Sequence, residues 1–503
     1  CAKHFAVHSG PEADRHHFNA VVSKQDLYET YLPAFKTLVD SNVEIVMCAY
    51  NRLNDEPCCG SNDLLSGILR KDWGFKGHVV SDCGAINDIK SNHKFTLTDE
   101  ESVAYAIKGG VDLNCGNLYR KIPSAVKKGL LSEKDVDKSL KRLLVTRYKL
   151  GMFEKKGSGP YDHLGSEHIN SQENKELAYM AASKSIVLLK NANSVLPLSK
   201  KLNTIFVTGP NAANIDMAIG NYNGLSPEII TPLEGIVSKV DYGVAVKYRL
   251  GVELNNPKPN PSFSMMHLAS SSDATIAFMG ISALIEGEEG DAILSSANGD
   301  RDEISLPKNQ IKYIKELRKR TTDKPLILVV SSGSAIDLSD VEELADAIIY
   351  CWYPGEQGGR AIADILFGDT NPTGKLPITL PKSINQLPDY SDYSMNKRTY
   401  KFMDDKPLYP FGYGLSYSKI KYSEISMSSP IFTDDKENVA QITLTNMSDY
   451  KTEEVVQLYV RDLDAVFRVP NSSLKLVKRI KLNAGETKTV KFKIDTKILK
   501  FVN

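Results

Sequence analysis

The sequence has no excess of charge of either sign, because 62 Lys and Arg residues balance 62 Asp and Glu residues among 503. A neutral chain argues against a nucleic-acid partner, since binding to a polyanion normally needs a basic surface. No apolar run reaches the ~18 residues typical of a membrane helix, so we expect no membrane partner. No charged segment followed by an apolar stretch marks a signal peptide. The first residues read as the interior of a domain, so we expect that Cys1 is not a mature natural N-terminus.

Cysteine is scarce and irregularly spaced. Seven cysteines are present, and no two of them form a C-x-x-C pair. This pattern argues against a disulfide-dense scaffold or a zinc site, so we expect no metal. A bridge between Cys48 and Cys59 is compatible with an exported protein, but buried free thiols fit the spacing equally well. The redox compartment therefore stays open.

The first part of the chain alternates strands and helices. A chain of 503 residues predicts about two to four domains, and no internal repeat divides it. Apolar runs predict strands at 43–50, 77–81 and 111–114, and helical patterns lie at 63–72, 100–109 and 132–150. Polar residues follow the strands, which is typical of a (β/α) barrel. We therefore expect residues 1–151 to be part of such a barrel.

The rest of the chain predicts three further segments. Gly157, Gly159 and Pro160 among charged residues indicate a linker over 152–173. Strand-like apolar runs separated by helical patterns predict an α/β domain with a largely parallel sheet over 174–418. Alternating segments from residue 419 to 503 predict an antiparallel β-sandwich without obvious closing strands.

Asp82 is the first candidate for chemistry. It ends an apolar strand and precedes Cys83-Gly84-Ala85, small residues that let a substrate approach the backbone. A carboxylate at this place can attack the anomeric carbon of a sugar. The structural alternative is an aspartate that caps the following helix.

An acidic loop supplies candidates for a second carboxyl group. Glu286, Glu288 and Glu289 lie among glycines just after the apolar run that ends at Gly280. The carboxyl edge of such a sheet is where ligand sites form, and crowded like charges raise the pKa of at least one carboxyl group. A solvated acidic loop is the alternative, and no regular spacing indicates a divalent-cation site.

A third candidate region lies near the start of the chain. Lys3 and His4 can donate hydrogen bonds to sugar hydroxyl groups. Alternatively, His8 and Asp14 form an acid/base pair. A metal site formed by the local histidines is the weaker hypothesis.

Six segments in order resemble glycoside hydrolase family 3. They are Lys3-His4-Phe5, Met47-Cys48-Ala49-Tyr50-Asn51, Val80-Ser81-Asp82-Cys83, Gly209-Pro210-Asn211-Ala212, Gly355-Glu356-Gln357-Gly358-Gly359 and Tyr409-Pro410-Phe411-Gly412-Tyr413-Gly414-Leu415-Ser416-Tyr417. The resemblance implies a multidomain α/β protein. Its parts would be a TIM-like barrel lacking its first portion, an α/β sandwich that supplies the acid/base, and an incomplete fibronectin-III-like β-sandwich.

The resemblance also implies roles for individual residues. Asp82 matches the family nucleophile, and the residues that match the sugar subsite are Lys3, His4, Met47 and Tyr50. Glu288 aligns best with the acid/base, with Glu286 next, in a loop longer than the usual form. No cofactor is implied, because two carboxyl groups suffice for retaining hydrolysis.

Within the family, the segments around Arg15, Tyr50 and Cys83 are most similar to the β-xylosidase branch, and many β-glucosidases carry Trp at the position of Cys83. The resemblance therefore implies a retaining exo-β-xylosidase that acts on small oligosaccharides. A β-glucosidase is the runner-up. A β-N-acetylglucosaminidase using His8 with Asp14, or a non-catalytic carbohydrate-binding protein, fits less well. The resemblance implies a periplasmic or extracellular location, and we leave a homodimer open.

Overall fold

The computed structural model describes residues 1–500 except 9, 222, 289–291, 298, 302 and 434–436. The chain divides into two compact units. Unit 1 contains Cys1–His168 and Pro388–Met395, and unit 2 contains Ile169–Leu387 and Asn396–Lys500.

Unit 1 alternates strands and helices along the chain. Its strands are β1 (Ala2–Phe5), β2 (Asn19–Ala20), β3 (Ile45–Cys48), β4 (Arg52–Leu53), β5 (Glu56–Pro57) and β6 (His78–Ser81). Its α-helices are α1 (Lys24–Asp26), α2 (Pro33–Asp40), α3 (Ala85–Ser91), α4 (Asp99–Gly109), α5 (Ile122–Lys127) and α6 (Glu133–Lys149). Two further helices, Leu27–Tyr31 and Asn62–Asp72, are of the π type, and 3₁₀ turns lie at Glu12–Asp14, Leu118–Lys121 and Ser166–His168.

The centre of unit 1 is a parallel sheet with the strand order β1-β3-β6. Its register pairs Phe5 with Cys48 and Cys48 with Ser81, so the carboxyl ends of the three strands lie side by side. Helices connect these strands in chain order, as in a (β/α) barrel.

The strand predicted at 111–114 is wrong in extent. Only Leu113 forms an isolated parallel bridge, with Val80. The physical reason is that the carboxylate of Asp112 itself accepts the backbone N–H of Val79, at 2.9 Å. A side chain thus replaces one carbonyl of the sheet ladder, and the regular strand does not continue.

The helix predicted at 63–72 is confirmed. Its apolar residues Leu64, Leu65, Ile68 and Leu69 are buried in the core of unit 1, and Ser61 caps its first turn by accepting the N–H of Leu64. Burial of one apolar face holds this helix against the sheet.

Unit 2 contains the remaining elements. Its first strands are β7 (Val187–Asn191), β8 (Thr204–Thr208), β9 (Ala245–Arg249), β10 (Ala274–Gly280), β11 (Leu326–Ser331) and β12 (Ala347–Tyr350). Its later strands are β13 (Ile420–Tyr422), β14 (Ser426–Met427), β15 (Asn438–Asn446), β16 (Thr452–Val460), β17 (Ser473–Leu482) and β18 (Thr487–Ile494). Its α-helices are α7 (Gln172–Ser185), α8 (Pro232–Lys239), α9 (His267–Ser270), α10 (Lys308–Thr321), α11 (Gly358–Leu366) and α12 (Thr399–Phe402). Its 3₁₀ turns are Ala192–Ser194, Ile215–Met217, Pro261–Met266, Glu342–Leu344, Ile384–Gln386 and Thr496–Leu499.

The first sheet of unit 2 has the order β7-β12-β11-β10-β8-β9 and is parallel except for β7. Alternate residues of its strands enter two cores. Ala277 and Met279 belong to one core, and Ile276 and Phe278 belong to the other. Both faces are therefore covered, which explains the continuous apolar runs in the sequence.

The last part of unit 2 is antiparallel, as predicted. Strand β15 pairs with β13, β14 and β18, and β16 pairs with β17. Alternate residues of both sheets, including Leu444, Val456 and Phe492, share one buried core. This arrangement is a β-sandwich.

Candidate active site

Asp82 lies at the carboxyl end of β6 and is 9% exposed. Its Oδ1 accepts the backbone N–H of Cys83 at 2.8 Å, and its Oδ2 lies 3.3 Å from Nε2 of His4 on β1. Helix α3 is capped by Gly84, whose left-handed φ of 86° suits glycine, and no side chain contributes to that cap. The capping alternative for Asp82 is therefore wrong. The carboxylate is instead oriented by Cys83 and His4, and the Tyr50 hydroxyl interacts with it as well, while it stays partly accessible.

Two other residues of the predicted sugar subsite lie on or beside β3. The hydroxyl of Tyr50 donates to the carbonyl of Cys83 at 2.9 Å. Burial, and next the nearby charge of Asp82, raise the pKa of the Tyr50 phenol, so this group stays protonated as a donor. Met47 pairs with Val80 of β6, which strand alternation places on the same face as Asp82. Lys3 is exposed on β1 next to His4.

Two disulfides hold this edge of the sheet. Cys48 is bonded to Cys59, the pairing that the spacing left open. Cys83 is bonded to Cys115, which the sequence did not indicate because 32 residues separate the two. Two hydrogen bonds support that second link: Gly84 N–H donates to the carbonyl of Cys115 at 2.9 Å, and Cys115 N–H donates to Ser81 Oγ at 3.0 Å.

The acidic loop follows β10 in unit 2, and Glu286 is its most constrained residue. Its side chain is 11% exposed. It accepts hydrogen bonds from the Gly333 N–H at 2.5 Å and the Tyr353 hydroxyl at 2.6 Å. The hydroxyl of Ser334 also donates to it, and Nη1 of Arg301 lies 3.7 Å away. The carboxyl oxygens of Glu286 are therefore occupied by neighbours within the protein.

Glu288 differs sharply from Glu286. It is exposed, and its side chain makes no hydrogen bond or ion pair with any residue that the structure describes. Glu289, the third glutamate of the predicted loop, lies outside the described residues. Of the two loop glutamates that the structure describes, Glu286 and Glu288, it is thus Glu288 whose carboxyl group is available to contact a ligand.

The predicted His8–Asp14 pair does not form within the described part of unit 1. The ring of His8 instead packs on His4, with centroids 4.0 Å apart, and its buried Nδ1 has no described partner. Burial first, and then His4, Arg15 and Lys3, lower the pKa of His8 to about 3. Burial therefore favours the neutral form of His8, and the His8–Asp14 pair is not formed.

The structure also brings together around Glu286 several residues that the sequence-based predictions did not include. Ser332, Gly333 and Ser334 follow β11, and Tyr353 follows β12. Their position after neighbouring parallel strands was the available signal, since such strand ends meet at one edge of a sheet. Outside the masked positions, no three Asp, Glu, His or Cys side chains are grouped as metal ligands. Likewise, no described helix has both the length and the apolar composition to cross a bilayer.

The chain has a barrel-like parallel sheet with a carboxylate at a strand end, then an α/β domain with an acidic loop, and then a β-sandwich. These features define the class as a multidomain glycoside hydrolase. The chain belongs to glycosyl hydrolase family 3. The N-terminal domain of that family matches residues 1–146, its C-terminal domain matches residues 186–417, and a fibronectin type III-like domain matches residues 454–503.

Individual relatives support the same membership. The chain is 34% identical to a xylan 1,4-β-xylosidase of Xylanibacter ruminicola, over 100% of this chain and 74% of that protein. It is 34% identical to a periplasmic β-glucosidase of Salmonella typhimurium, over 100% of this chain and 69% of that protein. A solved exo-β-xylosidase of the family, in complex with a xylobiose aziridine activity-based probe, superposes with a TM-score of 0.88 at 26% identity, covering 100% of this chain and 68% of that one.

Proposed function

We propose that the protein is a retaining exo-β-xylosidase in which Asp82 is the nucleophile and Glu288 is the acid/base. The observation that carries the proposal is the setting of Asp82 at the end of β6, with Cys83 N–H and His4 directed at its two oxygens. A nucleophile that attacks along one direction benefits from such fixed orientation.

Hydrolysis would take place in two displacements. In the first, a carboxyl oxygen of Asp82 attacks the anomeric carbon while Glu288 donates a proton to the glycosidic oxygen and the leaving group departs. In the second, Glu288 removes a proton from water, which attacks the same carbon and releases Asp82 as a carboxylate. Two inversions return the β configuration.

The choice of Glu288 over Glu286 rests on availability. The acceptor oxygens of Glu286 already receive hydrogen bonds from Gly333, Ser334 and Tyr353, which suits a residue that shapes its loop. Glu288 is exposed, and its carboxyl group is not taken up by hydrogen bonds or ion pairs with the described residues. In the proposal Glu286 anchors the loop, and Glu288 carries out the proton transfers.

The subsite residues complete the proposal. Lys3 and His4 would donate hydrogen bonds to sugar hydroxyl groups, and Met47 would supply an apolar contact. The hydroxyl of Tyr50, whose proton is donated to the Cys83 carbonyl, would accept a hydrogen bond from the sugar. The substrate class is β-linked xylose at a non-reducing end, as the names of the xylosidase relatives suggest. A β-glucosidase is the second candidate, favoured by the relative from Salmonella typhimurium.

An exported location is part of the proposal. Disulfides persist in oxidising compartments such as the periplasm or the cell exterior, and this structure has two, Cys48–Cys59 and Cys83–Cys115. One relative is named a periplasmic enzyme.

The test is hydrolysis of 4-nitrophenyl β-xyloside, β-glucoside, β-N-acetylglucosaminide and α-arabinofuranoside by the full-length protein, with proton NMR of the first-formed sugar. We expect the highest kcat/KM for the β-xyloside and initial release of β-xylose. A higher kcat/KM for the β-glucoside would favour the second candidate. Initial release of the α-anomer would contradict double displacement altogether.

A further inference from the structure

A series of polar side chains linked by hydrogen bonds lies next to Tyr50, and none of these residues has been given a role in the proposed function. It begins at Asp88 on α3, whose side chain is only 7% exposed. Oδ2 of Asp88 lies 2.7 Å from Nδ1 of His16, and Oδ1 accepts the side-chain N–H of Asn92 at 2.6 Å. Both oxygens of this nearly buried carboxyl group therefore have specific partners.

The Asp88 contact determines the tautomer of His16. A carboxylate accepts, so Nδ1 of His16 carries the hydrogen, and Nε2 is left as an acceptor in the neutral ring. Nε2 indeed faces the Nε–H of Arg15, which donates to it at 3.4 Å. Arg15 in turn forms an ion pair with Glu12. Donors and acceptors alternate along the series Glu12, Arg15, His16 and Asp88.

Two members of this series, His16 and Arg15, contact the ring of Tyr50. The ring of His16 packs edge-on against the Tyr50 ring, with centroids 4.6 Å apart and an angle of 63° between the planes. The guanidinium carbon of Arg15 lies 5.4 Å from the centre of the same ring. Tyr50 is thus held by His16 and Arg15 at its ring, while its hydroxyl donates to the carbonyl of Cys83.

These contacts form a closed series that starts and ends at Cys83, the residue next to the nucleophile. Asp82 is followed by Cys83, then by α3, which carries Asp88; Asp88 binds His16, His16 packs on Tyr50, and Tyr50 binds Cys83. The N–H of that same Cys83 donates to Oδ1 of Asp82. A displaced Tyr50 would therefore loosen the residue that orients the attacking carboxylate.

We infer that Asp88 and His16 are positioning residues for the reaction: they hold Tyr50 against Cys83 and thereby fix the direction of the Asp82 carboxylate. This inference rests on the proposed role of Asp82 and deepens it. Neither residue touches the substrate in this account, and both act through Tyr50. Because a misplacement of about 1 Å can cost roughly 100-fold in rate, a loosened Tyr50 should lower the rate of attack far more than it lowers stability.

The first test compares His16→Ala with His17→Ala in the full-length protein. His17 is the matched control, because it is the next histidine along the chain, is exposed, and its side chain makes no hydrogen bond or ion pair with the described residues. We expect His16→Ala to lower the kcat/KM for aryl β-xyloside by about 10- to 100-fold, with an unchanged melting temperature, and His17→Ala to stay near the wild-type value. Equal effects of the two substitutions would overturn the inference.

The second test asks whether His16 acts through Tyr50. In a Tyr50→Phe background, where the bond to Cys83 is already absent, His16→Ala should cost less than threefold. Asp88→Asn should lower the rate in the wild-type background and add little to His16→Ala. Additive losses in these double variants would show independent roles and would contradict the inference.

The two levels of proposal fail differently. If the proposed function is wrong, the wild-type protein does not hydrolyse the β-xyloside or the β-glucoside. If only the positioning role is wrong, the wild type is active and His16→Ala retains that activity. Because Asp88 is nearly buried, Asp88→Asn can destabilise the fold. In that case His16→Ala, which changes a more exposed residue, and the double variant His16→Ala/Tyr50→Phe decide between the two outcomes.

Discussion

At the scale of single residues, the two carboxyl groups proposed for catalysis lie in opposite environments. Asp82 is nearly buried and is oriented by His4 and by the N–H of Cys83. Glu288 is exposed in its loop. A nucleophile gains from fixed geometry, whereas an acid/base must first reach the substrate oxygen and later a water molecule.

The role of Asp82 is tested by Asp82→Asn. The amide keeps the size of the side chain but is a poor nucleophile, so kcat should fall by several orders of magnitude, about 10⁴-fold or more, while folding is retained. Rates for an aryl β-xyloside and the circular-dichroism melting curve provide the measurement. Turnover within tenfold of the wild type would exclude Asp82 as the nucleophile.

The assignment of the acid/base is tested by comparing Glu288→Ala with Glu286→Ala. Loss of the proton donor should slow glycosides with poor leaving groups strongly and activated aryl glycosides weakly. Azide should restore turnover in Glu288→Ala, because a small anion can occupy the vacated space and attack the glycosyl-enzyme. Product analysis for β-glycosyl azide is the readout. Azide rescue of Glu286→Ala alone would transfer the role to Glu286, and rescue of neither would leave these two glutamates without it.

At the scale of elements, Asp112 connects several parts of unit 1. Its fully buried carboxylate accepts hydrogen bonds from Arg70 at 2.6 Å, from Arg142 on α6 at 2.8 Å and from the N–H of Val79 on β6 at 2.9 Å. Burial lowers the pKa of Arg70 to about 10, and Asp112 opposes this effect. The helix Asn62–Asp72, α6 and β6 are thus joined through one side chain.

Asp112→Ala should therefore destabilise unit 1. It leaves two largely buried guanidinium groups without their partner, and we expect the free energy of unfolding to fall by about 3–5 kcal/mol. Urea unfolding gives the magnitude, and hydrogen exchange of the β6 amides assigns the loss to unit 1. Asp40→Ala is the control, because it removes only the exposed pair with Lys36 and should cost a few tenths of a kcal/mol. A similar loss in both variants would contradict this account of Asp112.

At the scale of the whole molecule, the segment between α6 and α7 is an exposed stretch of chain that connects unit 1 with unit 2. Nearly all residues from Phe153 to Ile169 are exposed, and turns rather than long helices or strands form it. The predicted linker over 152–173 remains a proposal, and its exposure supports it up to the start of α7. Such segments are preferred sites of proteolysis.

We expect brief digestion of the folded protein with trypsin to cleave first after Lys155 or Lys156. Mass spectrometry of the early fragments is the measurement. The double variant Lys155→Gln/Lys156→Gln should delay that first cut without a change in melting temperature. An unchanged first cut in the double variant, or an earlier cut within 174–418, would argue against a linker here.

Local patterns in the sequence were sufficient for much of this architecture. Apolar runs, period-two alternation and helical periodicity report how each residue is buried. They predicted the parallel strands of unit 2, the antiparallel sandwich and the helix at 63–72, respectively. They also placed Asp82 at the end of a strand, because that position depends only on its immediate neighbours. The prediction of a strand at 111–114 failed because the pairing with β6 is irregular: the Asp112 carboxylate accepts the N–H of Val79, and the N–H groups of Asp112 and Leu113 both donate to the Val79 carbonyl.

What the tertiary structure alone decided are pairings between residues far apart in the chain. Cys83 meets Cys115, His16 meets Asp88, and Glu286 meets Ser334 and Tyr353, at separations of 32, 72, 48 and 67 residues. A periodic pattern records that a side chain is buried or exposed, but it carries no information on which distant strand end lies beside it. The sequence by itself therefore determined the family, the order of the elements and the nucleophile candidate. The fold decided which glutamate is occupied by its neighbours and which residues hold Tyr50 in place.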